Sequence, residues 1–145
     1  MEIRRMLVGA LALVALAPSA LVAQTSVDAD AARQSERAEL LSEQGWLAAN
    51  QNLDFEAAAS YALEAALLRD DSPEKIRDLL NAGRFHFYSN QPLKAVSALI
   101  AAGEVAIELG DIATARKAFL DGAWVAAEAG DVNTARELLI RTAPA

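Results

Sequence analysis

The only histidine in the chain, His86, stands inside an aromatic run, Arg84-Phe85-His86-Phe87-Tyr88. An imidazole titrates near neutral pH and serves as a general base when a second group orients it. Nucleophilic catalysis would need a hydroxyl activated through it, and no Ser/His/Asp signature is present. A histidine packed in an aromatic-rich helix accounts for the residue. Glu104 and Glu108 stand one helical turn apart and supply at most half of a carboxylate metal site. Without a Glu-x-x-His element or a second histidine they read as a solvated face. Asp70-Asp71 flank a turn, and Asp111 and Asp131 are helix caps. Arg116 and Arg136 hold equivalent places and are expected to pair with acids such as Asp121 or Glu137, for little net stability. A glycine-rich phosphate cradle is lacking. No catalytic residue, metal site or cofactor is expected, and the chain does not read as an enzyme.

Composition narrows the partners. The 145 residues carry a formal charge of −7, are 54% hydrophobic and contain no cysteine. An acidic chain without a basic cluster is unsuited to nucleic acid, where phosphates must be neutralised. Disulfides and lipid attachment through cysteine are excluded. Arg4-Arg5 precede an uncharged apolar run from Met6 to Ala17, then Pro18-Ser19 and Leu21-Val22-Ala23. That layout predicts a signal peptide over 1–23, cleaved after Ala23, in a run too short for a membrane anchor. Cleavage removes one acidic and two basic side chains, so the formal charge becomes −8. The mature chain is then periplasmic or secreted, with no membrane span.

The elements that must position any site are helices. Residues 24–30 read as a flexible N-terminus, followed by a helical repeat domain over 31–142. Alanine and leucine abound, and nowhere is there a sustained alternating β-branched pattern. The first helix is expected from about Ala29 to Asn50 and the second from Phe55, capped by Asp54, to about Arg69. Ser72-Pro73 opens a third that reaches about Ser89. The fourth runs from Pro92 to Leu109, the fifth to about Ala129 and the sixth from Val132 to about Thr142. Gly110 and Gly130 end the helices before them. Gly122 is read as a close-packing residue inside an unbroken fifth helix.

The last three helices repeat at a period of 20 residues: Ala95 with Leu99, Ala115 with Phe119, Ala135 with Leu139. Across neighbouring helices, Gly83 is followed by Ala95, Leu99 and Ala102, and Gly103 at the same intervals by Ala115, Phe119 and Gly122. Gly45, Ala57 and Tyr61 make a weaker third match, with Glu64 in the last small place. Small residues let helices approach closely and large ones fill the hole between layers. This pattern resembles the tetratricopeptide repeat family over nearly all of 30–142. Its period departs from the family, since two units make 40 residues against about 34.

The resemblance implies an all-α, right-handed stack of antiparallel helical hairpins, an α-solenoid of about six helices. It also implies that the first helix of each pair lines a concave groove. Counted from Gly83, the residues facing that groove are Arg77, Arg84, Phe87 and Tyr88; counted from Gly45, they include Trp46 and Asn50. Arginine and aromatic side chains dominate recognition surfaces, and such a groove suits an extended peptide or an acidic or C-terminal segment. The competing placement for Phe87 and Trp46 is the core. The expected function is a protein-interaction module of the cell envelope. The alternative is an assembly subunit, a homo-oligomer joined through terminal helices, because Leu138, Leu139 and Ile140 leave the last helix without a polar cap.

Overall fold

A computed structural model describes residues 18–144. Six helices occupy them, with no strand among the described residues: α1 (Pro18–Asn52), α2 (Phe55–Leu67), α3 (Pro73–Tyr88), α4 (Pro92–Glu108), α5 (Ile112–Glu128) and α6 (Val132–Thr142). None of these helices is long and apolar enough to cross a membrane. The chain divides into two compact units, 1–31 and 32–145. In the first, the described residues are helical and exposed, and Thr25 Oγ1 donates back to the Leu21 carbonyl at 3.1 Å. Arg4, Arg5 and the run 6–17, which carry the signal-peptide expectation, lie outside the described residues.

Helix α1 begins at Pro18, upstream of the expected start near Ala29, so residues 24–30 are helical. No glycine or proline interrupts the chain between Ser19 and Gln44, and alanine recurs throughout. The composition that suggested a loose lead therefore contains nothing that stops a helix.

In the second unit, α2 packs on α3, α3 on α4, α4 on α5 and α5 on α6. Tight turns set this succession. Asp54, Ser72, Asp111 and Asp131 each accept a hydrogen bond from the backbone N–H three residues on, at 3.0–3.2 Å. Before three of these caps, and before Gln91, one residue takes a left-handed backbone: Leu53, Asn90, Gly110 and Gly130, with φ between 52° and 82°. The backbone N–H of Gln91, Asp111 or Asp131 then reaches back to the carbonyl five residues earlier at 2.8 Å. Three of the five connections use this one turn, and the link after α1 differs in that the Asp54 N–H reaches back six residues to the Ala48 carbonyl at 3.0 Å. The fifth is the longer link before Ser72, where Pro73 starts α3.

Alanine makes the close packing possible. Ala95, Ala115 and Ala135 are all buried, as are Ala58, Ala62, Ala102 and Ala126. Between neighbouring helices a glycine faces a large side chain sixteen residues on. A Cβ at Gly45 would approach Tyr61 Cβ at 3.5 Å, at Gly83 Leu99 Cγ at 2.9 Å, and at Gly122 Leu138 Cδ1 at 3.2 Å. At Gly103 it would meet the Phe119 ring. Gly122 thus lies within an unbroken α5 as a contact point with α6. One apolar cluster, centred on Leu99 and Phe119, extends from α2 to α6; a second, around Phe85 and Ala62, joins α1, α2, α3 and Ala98 of α4.

Candidate functional site

Helix α3 presents two faces with different fates. Ile76, Leu79, Ala82, Gly83, Phe85 and His86 are turned inward, and Arg77, Arg84, Phe87 and Tyr88 outward. The 3.6-residue period places these outward residues on one side of the helix, facing α5. Between them lies a groove of about 410 Å³. Leu80, Gly83, Arg84, Phe87 and Tyr88 form its α3 wall and Lys117, Asp121, Trp124 and Val125 its α5 wall, with Leu99 of α4 beneath.

The groove is aromatic. Phe87 and Trp124 face each other with ring centroids 5.3 Å apart and planes inclined by 51°. They remain 36% and 55% exposed, and Tyr88 57%, so part of each ring is left to solvent. These rings end a continuous series. Trp46 of α1 meets Phe85 edge-on at 6.1 Å, Phe55 of α2 stacks on Phe85 at 6.5 Å, and Phe55 reaches Tyr88 at 5.2 Å. Tyr88 then contacts Phe87 at 5.9 Å. The core placement weighed for Trp46 and Phe87 belongs to Phe85 instead, which is 3% exposed.

Two smaller depressions share lining residues with the groove or with each other. Leu80 and Arg84 also line a depression with Arg77, Asn81, Asp111 and Thr114. Arg77 in turn borders one with Glu39, Ser42, Glu43 and Trp46. Five of the six residues expected at the groove, Trp46, Arg77, Arg84, Phe87 and Tyr88, therefore border one connected surface. Asn50 is exposed near the end of α1 and lines none of these three depressions.

Arg77 is committed to an ionic cluster that the sequence did not announce. Asp78, 1% exposed, accepts from Arg69 Nε at 2.7 Å and from Ser42 Oγ at 2.5 Å. Arg69 Nη2 also donates to Glu39 at 2.8 Å, and Arg77 Nη2 reaches Glu39 and Asp78, each at 3.3 Å. The cluster ties α1, the end of α2 and α3 together. The Arg69 hydrogen bond holds the Glu39 carboxyl below its ordinary range, outweighing the upward push of burial. Burial presses down on the Arg69 guanidinium, but its bonds to Asp78 and Glu39 prevail and raise it.

Arg84 by contrast makes no ion pair with any described residue and is exposed in the groove. Across from it, Lys117 Nζ and Asp121 Oδ2 pair at 2.7 Å. Asp121 thus pairs with Lys117, not with Arg116, which is exposed one residue earlier. Asp111 and Asp131 are held below the ordinary carboxyl range by the hydroxyl and backbone N–H of Thr114 and Thr134.

His86 points away from the groove. It is buried and lines a separate depression of about 510 Å³ with Leu63, Leu79, Leu93 and Lys94. Its Nδ1 has no hydrogen-bond partner, and burial, then the Lys94 charge, push its pKa down against a smaller upward pull from Glu56. No carboxylate orients it, so the geometry of a general base is not assembled among the described residues. Nor do three or more acidic or histidine side chains gather there as a metal cage.

The α5 wall was missed from sequence. Lys117, Asp121 and Trp124 are spaced four and three apart, the spacing of one helical face, and that was the available signal. Compared with protein-family models, with curated proteins and with solved structures, the chain finds no match in any of the three.

Proposed function

We propose that this chain is a protein-interaction module, a tetratricopeptide-like α-solenoid that takes a peptide segment in the groove between α3 and α5. The observation that carries the reading is the pair Phe87 and Trp124, half-exposed and 5.3 Å apart on helices two positions apart in the chain. Holding large aromatics partly in water sacrifices burial, about 25 cal/mol for each Å² left exposed, and such residues supply most of the energy at recognition sites. Arg84, exposed and without an ion pair among the described residues, adds a directional charge beside them.

The solenoid reading is supported by the succession of contacts. Within α2–α6 the closely packed pairs are consecutive helices, as expected where each unit leans on its neighbours. Recurring turns and the glycine-to-large contacts sixteen residues apart add a repeated geometry. The stack would present α1, α3 and α5 on its concave side as a binding module, not an enzyme. A location in the cell envelope, periplasmic or secreted, is supported by the sequence of Arg4-Arg5 and the apolar run 6–17. N-terminal sequencing of exported protein that begins at Gln24 would support that location, and retention of residues 1–23 in the cytoplasm would refute it.

The groove is tested by selecting displayed random peptides on the wild-type chain and on the double variant Arg84→Glu, Tyr88→Ala. Peptides enriched on wild type should fail on the variant. Enrichment that survives both substitutions overturns the reading.

A second reading, self-association through α6, is favoured by one observation: Val132, Leu139 and Ile140 are 62%, 49% and 66% exposed. Sedimentation that gives a monomer at every concentration sinks it.

A further inference from the structure

We infer that the segment taken by the α3–α5 groove is proline-rich and bound in the polyproline II conformation; this rests on the peptide-binding reading above. Among the described residues none bonds to Tyr88 Oη, Trp124 Nε1 or the Arg84 guanidinium. An indole and a guanidinium only donate, and the tyrosine hydroxyl donates readily. The single carboxylate of the wall, Asp121, accepts from Lys117 through Oδ2 at 2.7 Å. The rim therefore offers three unbonded donor groups against one carboxylate, which is engaged through one of its two oxygens.

An ordinary extended peptide brings an N–H with every residue, and each N–H buried without an acceptor costs about 1–3 kcal/mol. Proline brings a carbonyl and no N–H. In polyproline II the carbonyls are unpaired within the segment and open to donors. A donor-rich rim and an acceptor-only ligand are complementary.

Shape and charge agree. Phe87 and Trp124 touch each other and leave an inclined aromatic ledge on their exposed side, on which a pyrrolidine ring can stack, the way aromatic-lined grooves hold proline-rich segments. From Leu80 to Tyr88 the α3 wall spans about 12 Å at 1.5 Å per residue. That length seats about four residues at 3.1 Å each. Arg84 and Lys117 beside the rings repel a cationic ligand that would otherwise suit an aromatic cage. A strongly acidic segment would gain one unpaired cation against a chain of net charge −7. A neutral proline-rich segment meets neither penalty.

The test titrates the full chain into three labelled dodecapeptides, read by fluorescence anisotropy: an Ala-Pro-Pro repeat, the same peptide with every proline replaced by alanine, and a Glu-rich peptide. The proline peptide should bind at least tenfold tighter than both others. Trp124→Ala and, separately, Tyr88→Ala should each weaken it tenfold or more, while Arg116→Ala leaves it unchanged. Circular dichroism shows whether each variant is folded; both aromatics are more than half exposed, so the core survives their loss. If the acidic or alanine peptide binds as well and Trp124→Ala abolishes it, the groove reading stands and the proline inference falls. Binding of the proline peptide that ignores both aromatic variants also overturns the inference. If no peptide of any class binds, both fall.

Discussion

Phe119 occupies the space that Gly103 leaves open: a methyl group on Gly103 would overlap Phe119 Cε1. The ring has no room to retreat. It is 1% exposed and lies under the Arg141 guanidinium, 4.0 Å from the ring centroid. Arg141 in turn reaches Glu104, so α4, α5 and α6 meet around one ring.

Gly103→Ala opposes two effects. Helix propensity favours alanine by about 1 kcal/mol, while overpacking a closed core costs about 1–3 kcal/mol. With rigid ring atoms at under 3 Å, the clash wins, and urea denaturation should read a loss of about 1–2 kcal/mol. Gly122→Ala meets the flexible end of Leu138 at 3.2 Å and Leu99 Cβ at an ordinary 3.6 Å, and should be neutral or slightly stabilising. Adding Phe119→Leu to Gly103→Ala should recover part of the loss. Equal effects at the two glycines would refute this account of the packing.

Arg69 holds a buried carboxylate. Arg69→Met leaves Asp78, 1% exposed, with Arg77 at 3.3 Å as its remaining cation. Removing one partner of a buried pair costs about 3 kcal/mol. The double variant Arg69→Met, Asp78→Leu removes both charges and should be more stable than Arg69→Met alone. A single variant that unfolds at the wild-type urea midpoint contradicts the cluster's role.

Stability should depend on pH through His86. Its folded pKa lies below the ordinary value of 6.5 because the ring is buried, with Lys94 nearby, against a weaker pull from Glu56. As pH falls through 6.5 the unfolded chain takes up a proton that the folded chain refuses. Stability is thus full above that pH and declines below it. Denaturation at pH 7.5 and 5.5 should give a lower midpoint at the acid value, and His86→Gln should reduce the difference. An unchanged difference in the variant would assign the effect to the carboxylates.

Leu53 takes the left-handed position that Asn90, Gly110 and Gly130 take in the other turns, with φ of 52°. A left-handed backbone costs an L-residue about 1–2 kcal/mol. Its side chain is 71% exposed and surrenders little packing. Glycine returns about 0.4–1 kcal/mol through the greater freedom of the unfolded chain. Leu53→Gly should therefore stabilise by about 0.5–1 kcal/mol, whereas Gly110→Ala should destabilise. A lower melting temperature for Leu53→Gly would contradict the strain.

Amino-acid order alone determined the helices from Phe55 onward, their caps at Asp54, Ser72, Asp111 and Asp131, and the glycine turns. Each of these is a contest settled within four or five residues of backbone. The intervals from Gly83 to Leu99 and from Gly103 to Phe119 were legible too, because a fixed helix and turn length repeats the same approach. Helical period alone put Phe87 on the apolar side of α3 with Ile76, Leu79 and Gly83; Arg84, Phe87 and Tyr88 were expected outward only through the repeat resemblance. Other features required the folded chain. Glu39 and Arg77 are thirty-eight residues apart, and only packing brings them together. Trp124 became the far wall of a groove because α5 stands opposite α3, which no local rule encodes. Whether a large apolar side chain is buried, like Phe85, or left facing water, like Phe87, depends on which neighbour covers it. Local chemistry selects the helix; the neighbouring helices decide which of its side chains water can reach.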